Sequence, residues 1–268
     1  MSLAKIEEIK GYRLQQISLE LVDNIAIAYL NNPPVNAIGA VMQKEILLMC
    51  EYINETDEVW VLILTSKMKT FAAGVDIKRF KKSIDDKDVT NVQEVYYEGT
   101  LALYNVKVPV ICAVFGHCLG GGMCYPAGAD ITIAVEDTLF GAPEINLSVV
   151  GGSGHLSRIL PPQILRDMCF SGSFITAKEL YKYGGVSQLV KTYEELMSTA
   201  TAKAQHLCTK GPLVLRYLKA CLNEQEDFQM QRKNDCELKY TRYMARHNDF
   251  REGVNAFLEK RPPNYIGE

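Results

Sequence analysis

Ile25–Leu30 is an apolar run (IAIAYL) that stops at Asn31-Asn32-Pro33-Pro34, a cluster that breaks any regular element. It predicts a strand. From residue 42 to 53 the apolar positions Ile46, Met49, Cys50 and Ile53 recur at helical spacing. Residues 59–65 are apolar without alternation, which predicts a strand buried on both faces. Residues 108–115, opened by Pro109, and Ile131–Val135 repeat that pattern. Between them, a polar stretch over 83–91 precedes a helix ending near Asn105. Each crossover has the length of a strand–helix–strand unit, so a mostly parallel sheet is expected.

Beyond Pro161 the pattern is mainly helical: residues 177–183, 193–208, 213–222 and a long stretch over 227–247. The one strand-like interruption lies at 186–190. No Pro-, Gly- or Ser-rich linker separates the halves. The chain therefore reads as one continuous α/β unit, with a core over 1–200 and a helical part over 201–268 that packs on it or on a neighbouring subunit.

Composition alters this picture little. The 268 residues are 47% hydrophobic and 23% charged with a formal net charge of -3, so no basic footprint for nucleic acid is expected. The charged N-terminus lacks the apolar core of a secretory signal, and no run is long enough for a membrane span. The eight cysteines contain no C-x-x-C pair, and reduced thiols in a cytoplasmic protein are expected.

Chemistry concentrates where buried strands end. One strand runs into Gly116-His117-Cys118-Leu119-Gly120-Gly121-Gly122. Three consecutive glycines are entropically unfavourable and need a reason. Either a ligand approaches bare backbone at a helix start, where free N–H groups suit an oxyanion, or the run is a tight turn with close packing. The dinucleotide fingerprint fails because Tyr125 stands where Gly or Ala is required, and the phosphate loop fails because no lysine follows. The nucleophile elbow fails because His155 occupies its last position, and no H-E-x-x-H occurs.

The loop Phe71-Ala72-Ala73-Gly74-Val75-Asp76-Ile77 is expected at the same sheet end as the glycines, where ligands gather. Phe140-Gly141-Ala142-Pro143-Glu144 sets a carboxylate among apolar residues. Desolvation there would raise its pKa toward a range useful for proton transfer, whereas a glutamate on a surface turn would do nothing. Asp76 suits an N-cap. His117 and His155 flank glycine motifs and fit either a contact to a polar substrate group or a solvated loop.

Together these segments resemble the crotonase family (enoyl-CoA hydratase/isomerase). The resemblance spans nearly the whole chain: Pro34-Val35-Asn36-Ala37, Ala73 to Ile77, Gly116 to Gly122, Phe140 to Glu144, Gly151-Gly152-Ser153-Gly154, and Phe257-Leu258-Glu259-Lys260-Arg261-Pro262. It implies an α/β spiral of ββα turns with a helical C-terminal part, assembled as a homotrimer or dimer of trimers. It implies an acyl-CoA or acyl-carrier thioester as substrate, with no metal and no cofactor beyond that CoA. The N–H groups of Val75 and Gly121 would form an oxyanion hole. Ala73, Asp76, Ile77, Gly120 and Cys124 would stand around the substrate, and Phe257 and Lys260 would meet CoA from an adjacent subunit.

One position departs from the family pattern. Hydratases of the family carry two glutamates; here the second is Glu144, but the first position holds Cys124. A thiol is mostly neutral near pH 7 and a weak acceptor, so Cys124 reads as a small apolar filler. One base suffices to shuttle a proton along an enolate, so double-bond isomerisation by Glu144 is the leading expectation. Hydration, decarboxylation or C–C cleavage, and thioester binding without turnover stand as alternatives.

Overall fold

The structure is a computed structural model that describes residues 3–78, 81, 94–226 and 229–267. Its centre is a seven-stranded sheet, in the order Leu3–Ile6, Ile17–Val22, Ile25–Leu30, Val61–Ser66, Val110–Val114, Ile131–Val135 and Gln188–Val190. From Ile25–Leu30 onward every neighbour is parallel, as the crossovers predict. The two strands before it pair antiparallel. The turn is the two-residue Asp23-Asn24, with Asp23 at φ 51°, a conformation that Asp tolerates better than most residues.

Strand alternation divides the core in two. Leu62 and Leu64 pack with Met42, Ile46 and Met49 of the helix Ala40–Glu55 on one face. Val61 and Ile63 pack with Leu196, Ala200 and Ala204 of the helix Tyr193–Cys208 on the other. This is why the strand is apolar at every position. The helix Tyr193–Cys208 spans residue 200, so a division there falls inside an element of the sheet's second layer.

The long helical stretch expected over 227–247 is the helix Met230–Met244; a further helix, Asn248–Leu258, follows after residues 245–247. A second sheet, His117–Leu119, Leu139–Gly141 and Phe174–Thr176, was not anticipated, because its three-residue strands are too short to show a period. The polar stretch over 83–91 lies outside the described residues; the helix after it is Glu94–Asn105.

Buried side chains tie the N-terminal segments down. Glu45, fully buried, accepts the backbone N–H groups of Gln15, Gln16 and Ile17 at 2.8–2.9 Å. Among the described residues no helix is long and apolar enough to cross a membrane, and no cluster of side chains could hold a metal ion. All eight cysteines are free thiols.

Candidate active site

The site forms where the loops after Val61–Ser66 and Val110–Val114 meet. Asn36, fully buried at φ 52°, donates from Nδ2 to Ser66 Oγ (2.7 Å) and to the Phe71 carbonyl (2.9 Å). It thereby pins Ala37–Ile38, which pair in parallel with Gly74–Val75. The Asp76 N–H donates to the Ile38 carbonyl, and alternation along the strand turns the Val75 N–H to the opposite side. On that side lies Gly121: a Cβ there would be 3.0 Å from Val75 Cγ2 and 3.9 Å from Val75 N.

The glycine run forms a 3-10 turn, Gly120–Met123, leading into the helix Cys124–Gly128. Gly121 falls in the first turn, where backbone donors have no partner within the helix. The loop and the turn are joined by Leu119 N–H to the Ala72 carbonyl and Ala72 N–H to the His117 carbonyl, both 3.0 Å. They do share one end of the sheet, as expected.

Glu144 arrives from the second sheet. Leu139–Gly141 pairs in parallel with His117–Leu119, so the following turn, Pro143–Leu147, is delivered beside the glycines. A Cβ at Gly120 would lie 2.7 Å from Glu144 Oε1. Glu144 Oε2 is sealed from solvent and has no hydrogen-bond partner among the described residues. Burial pushes the carboxyl up to about 7; its own backbone N–H opposes that rise, and the nearby Glu237 carboxylate adds to it.

These groups line one cavity of about 100 Å³. Ala73, Val75, Ile77, Gly120, Gly121, Cys124 and Glu144 all contribute to it. Three other candidates do not. Asp76 turns away and accepts from the Lys78 N–H at 3.1 Å, as a cap would. Phe257 and Lys260 are exposed at the end of the last helix and away from the cavity of their own chain. Cys124 is 4% exposed, and burial pushes its thiol well above the ordinary range, as suits a neutral filler.

The histidines diverge. His117 is exposed, and its backbone holds Thr70 Oγ1. His155 is fully buried, contrary to a solvated loop position; burial and then Lys233 push its pKa down to about 3, so it is neutral.

Two site residues escaped the sequence reading. Gln43 lines the cavity from the helix Ala40–Glu55, and a polar residue between Met42 and Ile46 on a buried stripe was the available signal. Glu237 of Met230–Met244 accepts from Gly152 N (3.1 Å), Ser153 Oγ (2.8 Å) and Gly154 N. Gly152 also lines the cavity, and beyond it Glu144 and Glu237 border a second hollow of about 510 Å³. Nothing in the sequence linked residues 237 and 152.

Comparison with known proteins fits this geometry. The family model described as enoyl-CoA hydratase/isomerase matches residues 20–268. A crotonyl-CoA hydratase of Syntrophomonas wolfei is 30% identical over 259 residues, covering 95% of this chain and 99% of the relative. A probable mitochondrial enoyl-CoA hydratase of Dictyostelium discoideum is 31% identical over 249 residues, covering 90% and 87%. A solved methylmalonyl-CoA decarboxylase, in complex with 2-nitronate-propionyl-CoA, superposes with a TM-score of 0.79 at 25% identity, covering 95% and 99%. The chain belongs to the enoyl-CoA hydratase/isomerase family and has the crotonase fold.

Proposed function

We propose that the protein acts on an acyl-CoA thioester as a one-base enolate enzyme, with double-bond isomerisation as its reaction. The observation that carries this reading is the Glu144 carboxylate resting against Gly120, in one cavity with Val75 and Gly121. The Val75 and Gly121 N–H groups receive the thioester oxygen as it gains negative charge. Each such preorganised donor is worth about 3–4 kcal/mol to the transition state. Ionised Glu144 removes a proton from C2 of a 3-enoyl thioester, and the electron pair delocalises into a dienolate. The protonated Glu144 then returns that proton to C4, giving the 2-enoyl isomer. A carboxyl whose pKa sits near 7 suits both steps.

Hydration is the second reading, favoured by the hydratase names of the relatives. It must proceed without a carboxylate at position 124. CoA would be completed by Phe257 and Lys260 of an adjacent protomer in a homotrimer or dimer of trimers, since neither reaches the cavity of its own chain. The test offers 2-enoyl and 3-enoyl thioesters to the pure protein and follows exchange of the C2 proton with deuterated water. Isomerisation and exchange should fall about a thousandfold in Glu144→Gln. Fast hydration that survives Glu144→Gln defeats the one-base reading. Tight thioester binding without any exchange defeats turnover altogether.

A further inference from the structure

The turn Pro143–Leu147, which carries Glu144, is wedged between two glycines. On its inner side Glu144 meets Gly120. On its outer side Leu147, which lines the cavity, meets Gly253, a buried residue of the helix Asn248–Leu258. A Cβ at Gly253 would lie 2.7 Å from both the carbonyl carbon and the carbonyl oxygen of Leu147. Those are backbone atoms, so no side-chain rotation relieves the contact. Phe250 and Val254 of the same helix are buried in one core cluster with Leu147. The helix therefore cannot stand off from the turn without opening a void.

Beyond the helix the chain doubles back. The Arg261 N–H donates to the Ala256 carbonyl at 3.0 Å and the Lys260 N–H to the Phe257 carbonyl at 3.2 Å, the bonds of a helix end closed by a left-handed residue. That residue is Lys260, at φ 53°, where glycine is usual. Residues 261–267 then run beside the helix, held by two of its carboxylates. Glu252 accepts from both Arg261 Nη atoms and, at 2.8 Å, from the Asn264 N–H. Asp249 accepts the Ile266 and Gly267 N–H groups, each at 2.9 Å. Tyr265 is 42% and Ile266 62% exposed, so these hydrogen bonds, and not burial, set the path. Securing the end of the helix would need no more than these two carboxylates. One further bond reaches off the helix: the Tyr265 hydroxyl donates to the Asn146 carbonyl at 3.1 Å. Within the turn, the Glu144 and Ile145 carbonyls are taken by the Val149 and Ser148 N–H groups, and Tyr265 takes the next one.

We infer that Gly253 and Tyr265 are positioning residues: the helix Asn248–Leu258 and the segment folded back along it hold the turn Pro143–Leu147 at the depth where Glu144 meets the substrate. The inference rests on the acyl-thioester reading above and adds the part of the chain that sets its base in place. Neither residue touches the cavity, so each acts through the turn. Proton transfer is sensitive to such placement, since a shift of about 1 Å can cost about a hundredfold in rate. The oxyanion donors Val75 and Gly121 lie on other elements, so the grip on the thioester should be spared when the turn moves.

The experiment follows exchange of the C2 proton of hexanoyl-CoA and 3-hexenoyl-CoA in deuterated water across pH, with melting temperatures, for wild type, Gly253→Ala, Tyr265→Phe and Glu45→Gln. Alanine is the better helix former, so Gly253→Ala disturbs the contact with the turn and not the helix itself. Its kcat should fall about tenfold or more while KM stays within about threefold. Packing keeps Glu144 dry, and burial is the chief cause of its raised pKa, so the pH midpoint of exchange should also drop below about 7. Glu45→Gln, buried but remote from the cavity, shows what lost stability alone does: a lower melting temperature with kcat and midpoint kept. A Gly253→Ala protein that behaves in the same way, or one with wild-type kcat, overturns the inference. Tyr265→Phe keeps the ring and loses only the hydroxyl, and it decides if Gly253→Ala does not fold. A kcat about threefold lower at unchanged KM supports the inference, and wild-type kcat overturns it. A wild type that exchanges neither thioester removes the acyl-thioester reading and the inference with it, a different result from an active wild type with equally active variants.

Discussion

The Glu144 carboxylate lies against Gly120 so closely that a Cβ there would come within 2.7 Å of Oε1. Gly120 also has φ 52°, where an L side chain is strained by about 1–2 kcal/mol. Its neighbour across the cavity is Gly74, whose Cα would be 3.7 Å from the same Cβ. The contact therefore cannot be relieved by shifting Gly120 toward the loop. Gly120→Ala should displace Glu144 and lower the C2 proton-exchange rate by about a hundredfold. Its melting temperature should fall only modestly. An exchange rate within threefold of wild type would show that the carboxylate has room to move.

The buried Glu144 sets a pH dependence whose sign is fixed. Proton abstraction needs the ionised form, so exchange should rise with pH through about 7 and level off above it. Stability should run the other way. The folded carboxyl holds its proton up to about 7, while the unfolded one releases it near 4.5, so between those values the folded state binds more protons. The stabilisation is complete below about 4.5 and is lost as pH rises through 7. Relative to Glu144→Gln, wild type should lose on the order of 2 kcal/mol between pH 4.5 and 8. Denaturant titrations of both proteins across that range check it; parallel stability curves would contradict the assignment.

Cys124 should be inert to alkylation in the folded protein. It is buried, and a neutral thiol is a poor nucleophile. Cys221 and Cys236 are exposed. Brief iodoacetamide treatment followed by peptide mass mapping should modify these two first and leave Cys124 untouched until the chain is denatured. Early modification of Cys124 would mean that it faces solvent through the cavity mouth as a reactive group.

How much of this could be read from the sequence depended on the range of the interactions. Ile25–Leu30 and Ile131–Val135 are parallel strands buried on both faces, and an unbroken apolar run identifies such strands locally. Glu144, Val75 and Gly121, which line one cavity, could be singled out because each lies in a motif of small or apolar residues. The antiparallel strand Ile17–Val22 was missed although Ile17-Ser18-Leu19-Glu20-Leu21 alternates apolar and polar; its start is held by Glu45, 28 residues from Ile17. The burial of His155 could not be read locally, because burial is a property of the packed chain; its segment, Ser153-Gly154-His155-Leu156-Ser157, holds only one large apolar residue. Gln43 was hidden by the helical pattern that located its helix, since a search for apolar periodicity passes over the polar residue inside the stripe. Asp76 was placed near substrate by its motif and read as an N-cap by its position; its side chain accepts from the Lys78 N–H, which fits the cap.

Glu237 was the longest-range omission, and it gives the most discriminating prediction. Its carboxylate gathers the Gly152 N–H, the Ser153 hydroxyl and the Gly154 N–H, and so fixes a loop that borders both hollows. Glu237→Gln keeps the size but offers an amide NH2 where an acceptor is required. It should cost about 2–3 kcal/mol, the usual worth of hydrogen bonds to a charged group, read as a lower denaturation midpoint. A purely structural loss would end there. The Glu237 charge also helps to hold the Glu144 pKa up, so removing it should favour the ionised base. The pH midpoint of proton exchange should then move below 7 in Glu237→Gln, while Glu45→Gln, equally buried but remote from the cavity, should lose stability with the midpoint unchanged. A Glu237→Gln midpoint that stays with wild type would confine the residue to holding the loop.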